Sequence, residues 1–241
     1  MSPISRLMLT AAFCAAASSA LAQAAKPAPA PDRFGAYDAF GHDARIAPPL
    51  FFREEWKRTP GPVEHPMTQA NVASPNLEIK LYGPSGRDIQ FNGGPGVEPP
   101  NPAHLWTGVC QQVCGAALRD KNNYVDLSGL AKIHWQVRIS GLHRIHPMLK
   151  LADGTWLLGE HEDGTEYDLH PTEFTLSESR WIKLDIDRLV TVGRWVDKPD
   201  LSKVDEIGFT DLMPASGHGD GGYMDMGWVE VYGRPVPRRG N

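Results

Sequence analysis

The sequence predicts an all-β protein: an antiparallel β-sandwich of jelly-roll type with an irregular N-terminal extension. Three observations lead there. Short segments alternate apolar and polar residues with a period of two, as strands with one buried face do. Turn-forming residues separate them, in a chain of 241 residues that carries 24 Gly and 21 Pro,. No segment carries a long apolar stripe at helical spacing,.

Residues 1–22 read as a cleavable signal peptide. Arg6 supplies the positive start, Leu7 to Ala17 an uncharged apolar run, and Ala20-Leu21-Ala22 the small-residue cleavage site,. The run is too short to anchor the chain in a bilayer. Phe13, before Cys14, is bulkier than a lipidation site takes. The chain is therefore expected to be secreted or periplasmic, with no membrane insertion after cleavage. Residues 23–33 alternate Ala and Pro and read as an extended tether,. Residues 34–241 are expected to form a single β-sandwich domain.

Cleavage removes Arg6 and no acid, so the 24 basic residues become 23, against 29 acidic ones. That acidic balance excludes nucleic acid and anionic membrane surfaces as partners and admits a neutral ligand such as a saccharide. Cys14 leaves with the signal, and Cys110 and Cys114 remain. An oxidising compartment favours a disulfide between them. In a continuous strand residues four apart lie about 13 Å apart, and a disulfide wants Cα atoms within about 7 Å. A Cys110–Cys114 bridge therefore requires a tight turn across Gln111, Gln112 and Val113; two unpaired thiols are the alternative.

Residues 33–75 are interrupted by Pro48, Pro49, Pro60, Pro62, Pro66 and Pro75, with Leu50 to Trp56 as a first strand,. Asn76 to Tyr82 alternates Leu77, Ile79 and Leu81 against Glu78, Lys80 and Tyr82, and Gly83 to Gly86 forms a turn,. Asn92 to Pro102 reads as a Gly/Pro-rich loop. In Ile133 to Ile139 the residues Ile133, Trp135, Val137 and Ile139 point inward, His134, Gln136 and Arg138 outward,. Met148 to Ala152 (Leu149 and Leu151 inward, Met148 and Lys150 outward) forms a hairpin with Trp156 to Glu160 across Asp153-Gly154,. Trp181 to Asp187 places Ile182, Leu184 and Ile186 inward and Trp181, Lys183 and Asp185 outward. Val204 to Thr210 and Trp228 to Tyr232 complete the set, the last with Val229 and Val231 on one face and Trp228, Glu230 and Tyr232 on the other.

The closing segments, Asp200-Leu201-Ser202-Lys203-Val204-Asp205-Glu206-Ile207-Gly208-Phe209, a Gly-rich loop at 217–222, and Trp228-Val229-Glu230-Val231-Tyr232-Gly233, resemble the last strands of carbohydrate-binding-module-like jelly rolls of the galactose-binding-domain type. The resemblance covers residues 125–235. It implies a sugar-binding or sugar-processing context. In that type the last strand often begins with an Asp; here Gly227 precedes Trp228 and Asp225 is the nearest acid.

The polar strand faces carry the chemistry. Aromatic rings stack on the apolar faces of sugars, and planar polar side chains read hydroxyls. His134, Gln136, Arg138, Lys183, Asp185, Trp228, Glu230 and Tyr232 are the candidate ligand-binding residues; cross-strand pairing for stability is the competing explanation of the same pattern. A glycoside hydrolase or polysaccharide lyase would use Asp185 and Glu230, or a His, as acid and base. A structural envelope protein is the third class. Among nine His, His143-x-x-His146 lacks a helical zinc-site context,. No cofactor is expected beyond a structural calcium, for which the loop acids Asp153, Glu160, Glu162, Asp163, Asp211, Asp220 and Asp225 offer oxygens,.

Overall fold

The structure, a computed structural model, describes residues 47–94, 101–213 and 222–238. The signal peptide, the 23–33 tether, most of the Gly217–Gly222 loop and Asp220 lie outside the described residues. In chain order the strands are β1 (Leu50–Glu55), β2 (His65–Pro66), β3 (Leu77–Tyr82), β4 (Gln90–Gly94), β5 (Asn101–Trp106), β6 (Cys114–Asp120), β7 (Asn123–Asp126), β8 (Lys132–Ser140), β9 (Ile145–Leu151), β10 (Trp156–Gly159), β11 (Glu166–Thr175), β12 (Trp181–Asp185), β13 (Val190–Val196), β14 (Val204–Asp211), β15 (Tyr223–Tyr232) and β16 (Arg234–Pro237).

They form two antiparallel sheets. The first runs β11-β8-β15-β5-β4-β2, with β1 also on β15; the second runs β13-β12-β10-β9-β14-β6-β3, with β7 on β14 and β16 on β7. The chain passes repeatedly from one sheet to the other, as a jelly-roll sandwich requires. β5 pairs with Asp225 and Met226 and β1 with Trp228 to Tyr232, so the partner of β15 changes at Gly227.

The core lies between the sheets. Ile133, Trp135, Val137 and Ile139 enter it from β8 as the alternation predicts, opposite Leu149, Leu157, Ile207 and Phe209 of the second sheet. Each such side chain adds about 1.5–3 kcal/mol relative to exposure.

The outer face of the second sheet departs from expectation. It carries its own apolar cluster of Ala117, Met148, Trp156, Leu158, Leu184 and Leu189. The register aligns Ala117, Gly208, Met148, Leu158 and Ile182 in one row across five strands. Leu189, at a left-handed φ of 50°, reaches back over Gly83, where a Cβ would stand 2.5 Å from its Cδ1. Because both faces of this sheet are dry, alternation does not separate inside from outside. Met148, expected outward, is buried in this second cluster. Trp181, expected outward, is 1% exposed in the main core, and Ile182 and Leu184 take the outer side.

Beside that cluster sits Glu206, fully buried, which accepts hydrogen bonds from Lys80 Nζ at 2.7 Å, Lys150 Nζ at 2.9 Å and Tyr82 OH at 2.6 Å. Burial opposes its charge, but these donors outweigh burial and hold the carboxyl below its usual range,.

One more expectation is corrected. The 92–102 stretch, read as a loop, holds the end of β4 and the start of β5. Gly93 and Gly94 adopt left-handed backbone there, and a Cβ on Gly93 would stand 2.2 Å from the Pro102 carbonyl oxygen,. Residues 47–75 pack into the sandwich through β1 and β2. Trp56 is buried and donates to the Met226 carbonyl at 2.6 Å, and Met67 and Val72 enter the core.

Cys110 and Cys114 are both buried thiols. A turn over residues 107–110, closed by Cys110 N donating to Thr107 O at 2.8 Å, precedes a bend at 111–112, and Cys114 opens β6. This path brings the sulfurs into hydrogen-bond contact, and that contact, then burial, pushes the Cys114 thiol well up. The disulfide itself is not formed in this structure.

Candidate functional site

Six of the candidate residues come together. β8 and β15 are neighbours, with Gln136 opposite Trp228, His134 opposite Glu230 and Arg138 opposite Asp225. β1 adds Arg53 opposite Glu230, and β11 adds Glu173 opposite His134. The outer face of the first sheet thus carries Arg53, Lys132, His134, Gln136, Arg138, Glu173, Trp228, Glu230 and Tyr232 in one strip. Lys183 and Asp185 are not in it. They lie on β12 of the other sheet, with Asp185 held by Arg188 Nε at 2.8 Å. Asp185 and Glu230 therefore cannot work as a carboxylate pair.

Glu230 organises the strip. It accepts from Arg53 Nη1, from Tyr232 OH at 3.0 Å and from His134 Nδ1 at 3.2 Å. Burial opposes its charge, but the three donors outweigh it and keep the carboxyl below its usual range. Tyr232 responds oppositely: burial and then the bond to Glu230 push its phenol up, so it remains a neutral donor. Trp228 is half-buried and its ring is already engaged. Arg53 Cζ sits 4.6 Å from the ring centroid and His134 meets it edge-on at 4.7 Å. Gln136 lies over Gly227, where a Cβ would stand 2.5 Å from its Oε1. Arg138 turns to buried Asp225, donating through Nε at 2.6 Å. The middle of the strip is therefore a cross-strand network of paired side chains, in which the buried Asp225 Oδ1 is left without a hydrogen bond among the described residues,.

Open space lies at one end of the strip. Where β8 begins and β11 and β15 end, beside Lys132, Glu173 and Tyr232, a cavity of about 1110 Å³ opens. Tyr232, Phe174 and His161 contribute rings, Leu130 and Pro48 apolar surface, and Lys132, Glu160, Glu173, Glu178, Ser177 and Ser179 polar groups. His161 stacks on Phe174 with centroids 3.9 Å apart. It is held by Asp163, which also accepts from Trp135 Nε1 at 2.7 Å and Thr172 Oγ1 at 2.8 Å. Lys132 pairs with Glu173 at 2.8 Å and its ammonium sits 4.9 Å from the Tyr232 ring centroid. Glu160 receives Arg180 Nε at 2.6 Å, and that pairing holds its carboxyl below the usual range. Glu178 accepts from Thr175 Oγ1 at 3.1 Å.

Sequence reasoning found Tyr232 and missed the rest. His161, Glu160 and Ser177 to Ser179 lie between strands, where no periodicity marks them, and β11 escaped recognition. The other candidates are structural. His143 is buried against Asp211, and His146 is held down by burial near Glu162. Among the described residues, no three His, Cys, Asp or Glu side chains converge on a metal-sized site, and no helix is long and apolar enough to cross a membrane.

No protein-family model matches the chain, and no curated protein matches it. Among solved structures it is similar to the family 11 carbohydrate-binding module from Clostridium thermocellum in complex with a β-1,3-1,4-mixed-linked tetrasaccharide. The TM-score is 0.42 at 14% identity, over 73% of this chain and 98% of that one. The family 11 module of the C. thermocellum cellulosomal cellulase Lic26A-Cel5E gives 0.42 at 12%, with the same coverage. An exo-β-agarase gives 0.38 at 10%, over 73% of this chain and 25% of that one. No residue's role follows from these likenesses.

Proposed function

We propose that this chain is an exported saccharide-binding domain that holds a neutral sugar in the cavity at the end of the β8–β15 strip. The cavity carries the reading. It joins aromatic rings, which cover the C–H faces of a sugar, to hydroxyl, carboxylate and ammonium groups that read its oxygens, on a largely pre-formed wall. Glu230 fixes Tyr232, and Asp163 fixes His161, so both rings are pre-organised,. His134, Gln136, Arg138 and Trp228 support the strip that presents Tyr232. Three Glu face one Lys among the lining residues, which disfavours uronates and other acidic sugars,.

Binding is favoured over hydrolysis by the state of the carboxylates. A glycosidase needs a carboxylic acid with a raised pKa near its catalytic partner. Here Arg180 keeps Glu160 ionised and Lys132 neutralises Glu173. Export rests on the signal-peptide pattern of residues 1–22,. In an oxidising compartment the Cys110–Cys114 thiols, already in contact, are expected to join.

The test is a neutral-glycan array probed with the wild type and with Tyr232→Ala. Binding by the first and its loss in the second are expected. A blank array for the wild type overturns the reading.

A further inference from the structure

A second groove, of about 540 Å³, lies beside the cavity, and both are lined by Ser177, Glu178 and Ser179. Its walls are the 127–129 turn, the start of β12 and the segment from Trp195 to Leu201. Two tryptophans distinguish it. Trp195, on edge strand β13, keeps 47% of its surface exposed although Arg180 Cζ sits 4.5 Å from its ring centroid. Trp181 also lines the groove. It is 1% exposed, and its indole nitrogen is buried with no acceptor among the described residues.

The Trp181 N–H is sealed in the core and out of a ligand's reach, so what Trp181 gives the groove is apolar wall. The exposed Trp195 indole offers an apolar stacking surface beside it. Ser128, Asp197 and Asp200 add polar groups at the walls. The two spaces are also joined by side chains: Arg180 binds Glu160 of the cavity while lying on Trp195 of the groove.

We propose that this groove is a second saccharide subsite, in which one sugar ring stacks on Trp195, so that the domain binds an oligosaccharide lying across the Ser177–Ser179 ridge. The proposal rests on the saccharide reading of the cavity and extends it. Arg180 then acts at both places, orienting Glu160 and covering one side of Trp195.

The experiment takes the neutral glycan that binds best on the array and measures affinity along its ladder from monosaccharide to hexasaccharide. In parallel, the Trp195 indole N–H resonance is followed by NMR. The wild type is expected to gain at least about tenfold from the shortest to the longest member, and the Trp195 resonance to move only with the longer ones. Trp195→Ala is expected to flatten the ladder while leaving monosaccharide affinity unchanged. Tyr232→Ala is expected to lose the whole ladder. A ladder that keeps its slope in Trp195→Ala, or a Trp195 resonance that never moves while the cavity amides do, overturns the subsite and leaves the cavity reading standing. A wild type that binds no neutral glycan overturns the cavity reading, and the subsite with it.

Discussion

The Tyr232 hydroxyl donates to Glu230 Oε2 at 3.0 Å, from two positions further along the same strand and on the same face. The same carboxylate holds Arg53 and His134. One buried charge thus fixes the aromatic ring that ends the polar strip and opens the cavity. Glu230→Gln keeps the shape but weakens three hydrogen bonds. Saccharide affinity is expected to fall less than in Tyr232→Ala, where the ring itself is lost and at least about tenfold is expected. Calorimetric titration of both variants checks the order; equal affinity in Tyr232→Ala and wild type contradicts it.

The same contact sets a pH dependence. The folded Glu230 carboxyl titrates below its unfolded value. Its contribution to stability is therefore complete above the unfolded pKa, about 4.3, and is lost as pH falls through the folded value. Thermal melts between about pH 6 and pH 3 should show the wild type losing more stability than Glu230→Gln. Parallel curves contradict the assignment.

The second sheet is expected to fail at its own buried charge. Glu206→Ala leaves Lys80, Lys150 and Tyr82 without their common acceptor. A loss of about 3–5 kcal/mol is expected, as for breaking a buried ion pair. Urea denaturation measures it, and a change below about 1 kcal/mol, the range of surface pairs, contradicts it.

Glycine positions separate rigid from adaptable packing. A Cβ on Gly208 would stand 2.4 Å from the Ala116 carbonyl oxygen, which is backbone and cannot turn aside. A Cβ on Gly227 would meet the amide end of Gln136, which can. Gly208→Ala should cost about 1–3 kcal/mol or more, and Gly227→Ala clearly less. Denaturation midpoints that rank the two the other way contradict this.

The sandwich was legible in the sequence wherever one strand face is dry and the other wet. β8 and the end of β15 follow that rule, and the strip around Glu230 could be drawn from alternation alone. The rule failed on β9 and β12, because the second sheet buries both faces, and so Met148 and Trp181 were turned the wrong way. Lys183 and Asp185 were placed on the polar strip because alternation cannot tell which sheet a strand joins. The cavity was invisible for a further reason. It is assembled from residues 48, 130, 160–161, 173–179 and 232, and only the register of distant strands brings them together.

The thiols give an independent check on export. Protein recovered from outside the cytoplasm should carry a Cys110–Cys114 disulfide, and mass spectrometry without reductant should show it lighter by two hydrogens and unreactive to thiol alkylation. Two alkylatable cysteines in that material contradict it.

The most direct measurement is a titration of the isotope-labelled protein with a soluble neutral oligosaccharide, followed residue by residue by NMR. The predicted result is a saturable set of shifts at Lys132, Glu173 to Ser179 and Tyr232, abolished in Tyr232→Ala. Shifts confined to the outer face of the second sheet, or none with any neutral glycan, would contradict saccharide binding in the cavity.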